Sequence, residues 1–158
     1  MLVLGDGSPT RHLQFLTSQA IAVDVINMSI ITQDENNLPP EQIEDIANPQ
    51  ILRQVWLKSE SGERLAYAAS WWSSEKVNQY LENRSIPIWD SLSLMHTELY
   101  RDIRSIYCGH SDFLEEQFAH KGPFWGRHYL FWHHQKPITL IYEVFSPVLK
   151  KYLGEISI

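Results

Sequence analysis

The stretch FWGRHYLFWHHQKPITLIYEVFSP, residues 124–147, decides the fold. It holds two runs of about nine residues, rich in aromatic and β-branched side chains and joined at HHQKP, a pattern that forms an antiparallel hairpin. In the second run Glu143 stands alone among apolar neighbours (ITLIYEVFSPV, 138–148). Strand side chains alternate faces, so Glu143 shares a face with Ile141 and Phe145. A carboxyl buried there is costly enough that it either protonates or finds donors. In the first run Gly126 interrupts an aromatic strand, which marks a bulge or the close approach of a backbone or ligand. Arg127 follows it, either as a surface charge at a sheet edge or as a binding group.

The rest of the chain supplies further strands and helices. ILRQVWLKSESGERLAYAASWW reads as a second hairpin, strands 50–58 and 64–72, turning at SESGE. Arg53 sits in its first strand between Ile51, Leu52, Val55 and Trp56. This guanidinium can form a buried Arg–Glu pair, snorkel to an exposed face, or meet one end of a small ligand whose other end meets Glu143. IAVDVINMSII, residues 21–31, is β-branched throughout and favours a strand. Ser8 and Pro9 open a short first helix carrying Leu13 and Leu16. SSEKVNQYLENR reads as a helix through Val77, Tyr80 and Leu81. DSLSLMHTELYRDIRSIY, residues 90–107, reads as the principal helix, with Leu92, Met95, Leu99, Ile103 and Ile106 on one stripe. The acidic segment 32–50 is a connection with one helical turn after Pro40. Hairpins with helices between them predict an α+β domain, an antiparallel sheet packed on one face by helices. With no repeat or linker, one domain over residues 1–158 is expected.

Composition narrows the function classes. The chain has 13 Lys and Arg against 19 Asp and Glu, net charge -6, which opposes nucleic acid and anionic lipid surfaces. The opening residues make too short an apolar run for a signal peptide, and no run approaches the ~20 apolar residues that cross a bilayer, so a cytoplasmic protein without membrane insertion is expected. Six Trp suit a core or a planar ligand, and a monomer is the expected state. Cys108, the single cysteine, reads as a small buried residue near a helix end. His133 and His134 fall at a turn and point to opposite faces, and no metal-ligand or phosphate-cradle spacing occurs, so neither a metal nor a nucleotide cofactor is expected.

Taken together, LRQVWLKSESGERLAYAASW, IPIWDSL, the 124–147 hairpin and the early GSPTRHL resemble the chorismate pyruvate-lyase family, including its photosynthetic-lineage members. The W-G-R and K-P-[IL]-x-L-x-x-E-x-F-x-P segments are the most specific part, and the likeness runs from about residue 5 to 147. The resemblance implies one antiparallel six-stranded sheet flanked by helices that cover a buried pocket. It also implies that chorismate is split, without cofactor, into pyruvate and 4-hydroxybenzoate for quinone synthesis, plastoquinone or ubiquinone. The family's essential arginine falls on Arg53 and its essential glutamate on Glu143. Backbone positions that contact product fall on Ile88 and at about Pro9. Trp89 stands where the family often has glycine, and Pro9 lacks the N–H usual there.

Chemistry suits these positions. A guanidinium gives a planar two-pronged grip on the ring carboxylate. Glu143 can hydrogen-bond the ether region when protonated or the new phenol when ionised. Arg127 either meets the pyruvate-side carboxylate or holds the hairpin. The same fold also serves as a non-catalytic small-molecule-binding domain in transcription regulators, which is the alternative function, and another hydroxybenzoate is a further possible product.

Overall fold

The computed structural model describes residues 8–31, 45–80 and 100–154. Six strands form one sheet: β1 (Ala22–Ile30), β2 (Gln50–Lys58), β3 (Arg64–Ser73), β4 (Tyr100–Gly109), β5 (Phe124–His133) and β6 (Lys136–Phe145). Their order is β1-β2-β3-β6-β5-β4, and every neighbouring pair is antiparallel. Both hairpins form where the sequence places them. The β2–β3 turn closes through Gly62, whose φ of 84° suits a residue without Cβ, and Gly62 N–H donates to the Ser59 carbonyl at 2.9 Å. The β5–β6 turn is two residues, His134 and Gln135, both left-handed at φ 48° and 61°. That geometry matches the twist of the flanking strands.

Helices α1 (Pro9–Thr17), α2 (Ser74–Tyr80) and α3 (Asp112–Phe118) and a 3-10 helix, Pro147–Tyr152, complete the described residues. Ser8 caps α1 by accepting from Arg11 N–H at 3.4 Å, with Pro9 at the first helical position. Leu13 of α1 is fully buried against Val55, Leu57, Ala66 and Phe145, the face that also carries Glu143. Phe118 of α3 packs instead with Trp56, Phe124 and Val144, residues of opposite parity. Helices therefore cover both faces rather than one, because both faces of the central strands are apolar.

The reading of residues 90–107 as a helix is corrected: residues 100–109 are strand β4, and residues 90–99 lie outside the described residues. The helix-like spacing of Ile103 and Ile106 comes from a bulge. Ile103 pairs with Tyr129 and Ile106 with Arg127, so three steps on β4 match two on β5 and both side chains fall on one face. Cys108 is exposed on this strand, not buried near a helix end. The end of the predicted helix beyond Tyr80 and the turn after Pro40, residues 41–44, also lie outside the described residues. No helix among the described residues is long and apolar enough to cross a membrane.

Candidate active site

Register places the site. Glu143 on β6 lies between Ala68 of β3 and Arg127 of β5, and one row along, Arg53 of β2 faces Ser70, Ser70 pairs with Ile141, and Ile141 pairs with Tyr129. Alternation puts all these side chains on the face beneath α1. A cavity there is lined by Ser8, Pro9, Arg53, Arg101, Tyr129 and Glu143, with an apolar wall including Val55, Ala68, Phe131 and Ile141. Its volume is about 40 Å³. A benzene-sized cavity is ~150 Å³, so a ring enters only when the wall gives way.

Glu143 finds donors rather than standing alone. Arg127 Nε donates to one carboxylate oxygen at 2.9 Å and the Tyr129 hydroxyl to the other at 2.6 Å. Arg127 is fully buried and its guanidinium lies 5.1 Å from the centre of the Tyr129 ring, so it is a core cation and not a surface charge. Burial, then the Glu143 charge, hold the Tyr129 hydroxyl well above its ordinary range, and it stays a donor at neutral pH. Burial pulls the Arg53 guanidinium down to about 10, which leaves it charged at neutral pH and gives it more to gain from an anion than an exposed arginine has.

Gly126 allows the close approach predicted for it. A Cβ there would stand 2.8 Å from the Glu143 carbonyl oxygen and 3.3 Å from Val144 Cγ2. The glycine thus lets β5 press on the backbone that presents the glutamate. Pro9 is buried at the cavity wall, where it has no N–H to offer. Ile88 and Trp89 lie outside the described residues. Two lining residues, Tyr129 and Arg101, were not singled out from sequence. The alternation of Arg127 and Tyr129 with the hairpin partner of Glu143 could have found the first; Arg101 was hidden by the helical reading of its strand.

The expectation that His133 and His134 point to opposite faces is corrected: their ring centres lie 3.9 Å apart, because His134 leaves the strand with φ 48° and strand alternation ends at His133. Among the described residues no group of three His, Cys, Asp or Glu is placed to hold a metal ion.

A family model described as Chorismate pyruvate-lyase Rv2949c-like matches residues 3–153. The chain belongs to this family. Its relatives include the uncharacterized protein ycf21 of Cyanophora paradoxa, 40% identical over 149 residues, 94% of this chain and 77% of the relative. Uncharacterized protein ycf21 of Porphyra purpurea is 38% identical over 152 residues, 96% of this chain and 82% of the relative. Among solved structures, PhnF from Mycobacterium smegmatis superposes with a TM-score of 0.67 at 11% identity, over 92% of this chain and 66% of PhnF. A possible transcriptional regulator, YydK from Bacillus subtilis, gives 0.66 at 14% identity, over 98% of this chain and 67% of its own. At such identities these two likenesses concern the fold alone. The architecture, a six-stranded antiparallel sheet with helices over a buried pocket, is the chorismate lyase-like fold expected for the family.

Proposed function

We propose that the protein is a chorismate pyruvate-lyase that releases pyruvate and 4-hydroxybenzoate, a quinone precursor. Family membership supports the reaction class, and the main structural support is one cavity lined by both Arg53 and Glu143. Arg53 grips the ring carboxylate through two parallel N–H donors. Glu143 accepts from the ring's C4 hydroxyl, beside the ether. Each of its oxygens already holds one donor and has a lone pair left for a second. Arg127 and Tyr129 are positioning residues that fix this carboxylate.

The ether bond at ring C3 breaks with its electron pair leaving on the enolpyruvyl oxygen. C4 gives up its proton, and the C–H pair closes the aromatic ring. The proton ends on the enolpyruvyl methylene carbon, which yields pyruvate with no water or oxidant consumed. Aromatisation drives the step, so the protein chiefly orients and polarises. The Glu143 bond to the C4 hydroxyl raises electron density at C4 as the neighbouring bond breaks and helps the oxygen depart. Pro9, at the cavity wall, completes the ring's surroundings in this reading.

The deciding experiment is incubation of the purified protein with chorismate, without added metal, and identification of products by chromatography and mass spectrometry. Equimolar pyruvate and 4-hydroxybenzoate are expected. A thermal shift with chorismate left intact would favour a non-catalytic binding domain, and a different hydroxybenzoate would change the product assignment. Glu143→Gln with full turnover and an intact fold would remove the glutamate from the mechanism.

A further inference from the structure

Strand β1 is an edge of the sheet, nine residues long, and none of its residues is buried. Val25, Ile26 and Ile30 are 36%, 51% and 60% exposed, and the strand's single charge, Asp24, is held by Lys58 of β2. An apolar edge of this kind is a template for another strand, and soluble proteins blunt such edges with charge. The opposite edge, β4, is blunted in that way: Asp102 and Arg104 stand on it, with Arg104 Nε donating to Asp102 at 2.7 Å.

The pairing of β1 with β2 decides which of its backbone groups are open. Ile31 N–H donates to the Gln50 carbonyl at 2.9 Å, so the even residues of β2 exchange hydrogen bonds with β1 and the odd ones turn toward β3. Ala22, Asp24, Asn27 and Ser29 stand opposite even residues and bond inward. Val23, Val25, Met28 and Ile30 stand opposite Leu57, Val55, Arg53 and Ile51, and direct their N–H and C=O groups outward. Their spacing is palindromic: two steps, then three across the bulge at Ile26, then two. A two-fold axis between Ile26 and Asn27 therefore sets Val23 opposite Ile30 of a second copy and Val25 opposite its Met28. The bulge, which misfits a straight strand, meets an identical bulge at the same level. In this register outward backbone groups pair, apolar side chains meet apolar ones on the cavity face, and Asp24 falls opposite Ser29 rather than another carboxylate.

We propose that two copies of the chain pair antiparallel through β1, joining two six-stranded sheets into one. Assembly closes at two, because the charged β4 edges are the edges left over. Ile30 of the partner subunit then flanks Val23, which lines the cavity, and extends its apolar wall. The pairing does not depend on the lyase reading.

Sedimentation equilibrium of the wild-type protein over about 1–300 μM should show a mass rising to twice 18.5 kDa, and Val25→Lys with Ile30→Lys should weaken the association about tenfold or more. Amide exchange measured above and below the association midpoint should protect the N–H groups of Val23, Val25, Met28 and Ile30 while leaving those of Asp24, Asn27 and Ser29 unchanged. Cys108 is exposed, so cross-linking uses a Cys108→Ser background. Asp24→Cys with Ser29→Cys should oxidise to a covalent dimer, since the two positions meet between chains but lie roughly 16 Å apart within one. Asp24→Cys alone should not, because its two copies are as far apart. A monomer across the whole range overturns the inference without any variant, so a variant that fails to fold does not shelter it. A dimer whose newly protected amides lie off β1, or whose association survives the two lysines unweakened, overturns it as well, and so does growth into ever larger oligomers.

Discussion

Glu143, Arg127 and Tyr129 act as one group, and substitutions among them differ in kind. Glu143→Gln leaves the fully buried Arg127 cation without its counter-charge, and loss of one partner from a buried pair costs ~3–5 kcal/mol. Denaturant melts should show that loss alongside a fall in kcat of about 100-fold or more. Tyr129→Phe removes a single donor from a carboxylate oxygen, with ~1–3 kcal/mol of stability lost, and should lower kcat with a smaller effect on folding. His12 on α1 sets a pH dependence. Burial first, then Arg127 and Arg101, push its imidazole below the ordinary value of 6.5. The folded chain therefore binds this proton less readily than the unfolded chain, so the contribution is complete above about pH 6.5 and is lost as pH falls through the lower folded value. Melting temperatures measured from pH 8 down to pH 5 should decline, and His12→Gln should flatten the decline.

Elements show how far residue patterns carry. Both hairpins, the cap of α1 and the β-branched β1 were legible because strand alternation and turn residues act locally. Arg53 and Glu143, which line one cavity, were legible because a charge inside an apolar strand needs an answer. Strand β4 was misread because its bulge turns a period of two into a spacing of three, and no residue type announces a bulge. With β4 read as a helix, Arg101 could not be placed at the cavity. Helix α3 offers a test of local geometry: it ends at Ala119 with φ 56°, an exposed residue in the left-handed region. Ala119→Gly should raise stability by about 0.5–1 kcal/mol, readable as an increase in the denaturant midpoint, since glycine adopts that conformation without a Cβ penalty. Gly126→Ala should act in the opposite sense. The added methyl meets the Glu143 carbonyl oxygen, a backbone atom that cannot step aside alone, so both the melt and the KM for chorismate should worsen.

At the scale of the molecule, the sheet is two hairpins, β2–β3 and β5–β6, with β1 and β4 added at the outer edges. They meet along one seam, β3 against β6, running from Ala66 opposite Phe145 to Trp72 opposite Thr139. Arg53 belongs to one hairpin and Glu143 to the other, 90 residues apart in the chain. A molecule held at both ends is therefore a rivet through that seam, and binding to the folded form alone stabilises it by mass action. Amide hydrogen exchange should register the rivet locally. With 4-hydroxybenzoate bound between Arg53 and Glu143, the amides that bridge β3 and β6 should become the slowest in the protein, while those of the β4 edge keep exchanging at their unliganded rate. Uniform slowing across all six strands would mean that the ligand reports global opening, and that the two hairpins never part along their seam before the whole chain unfolds.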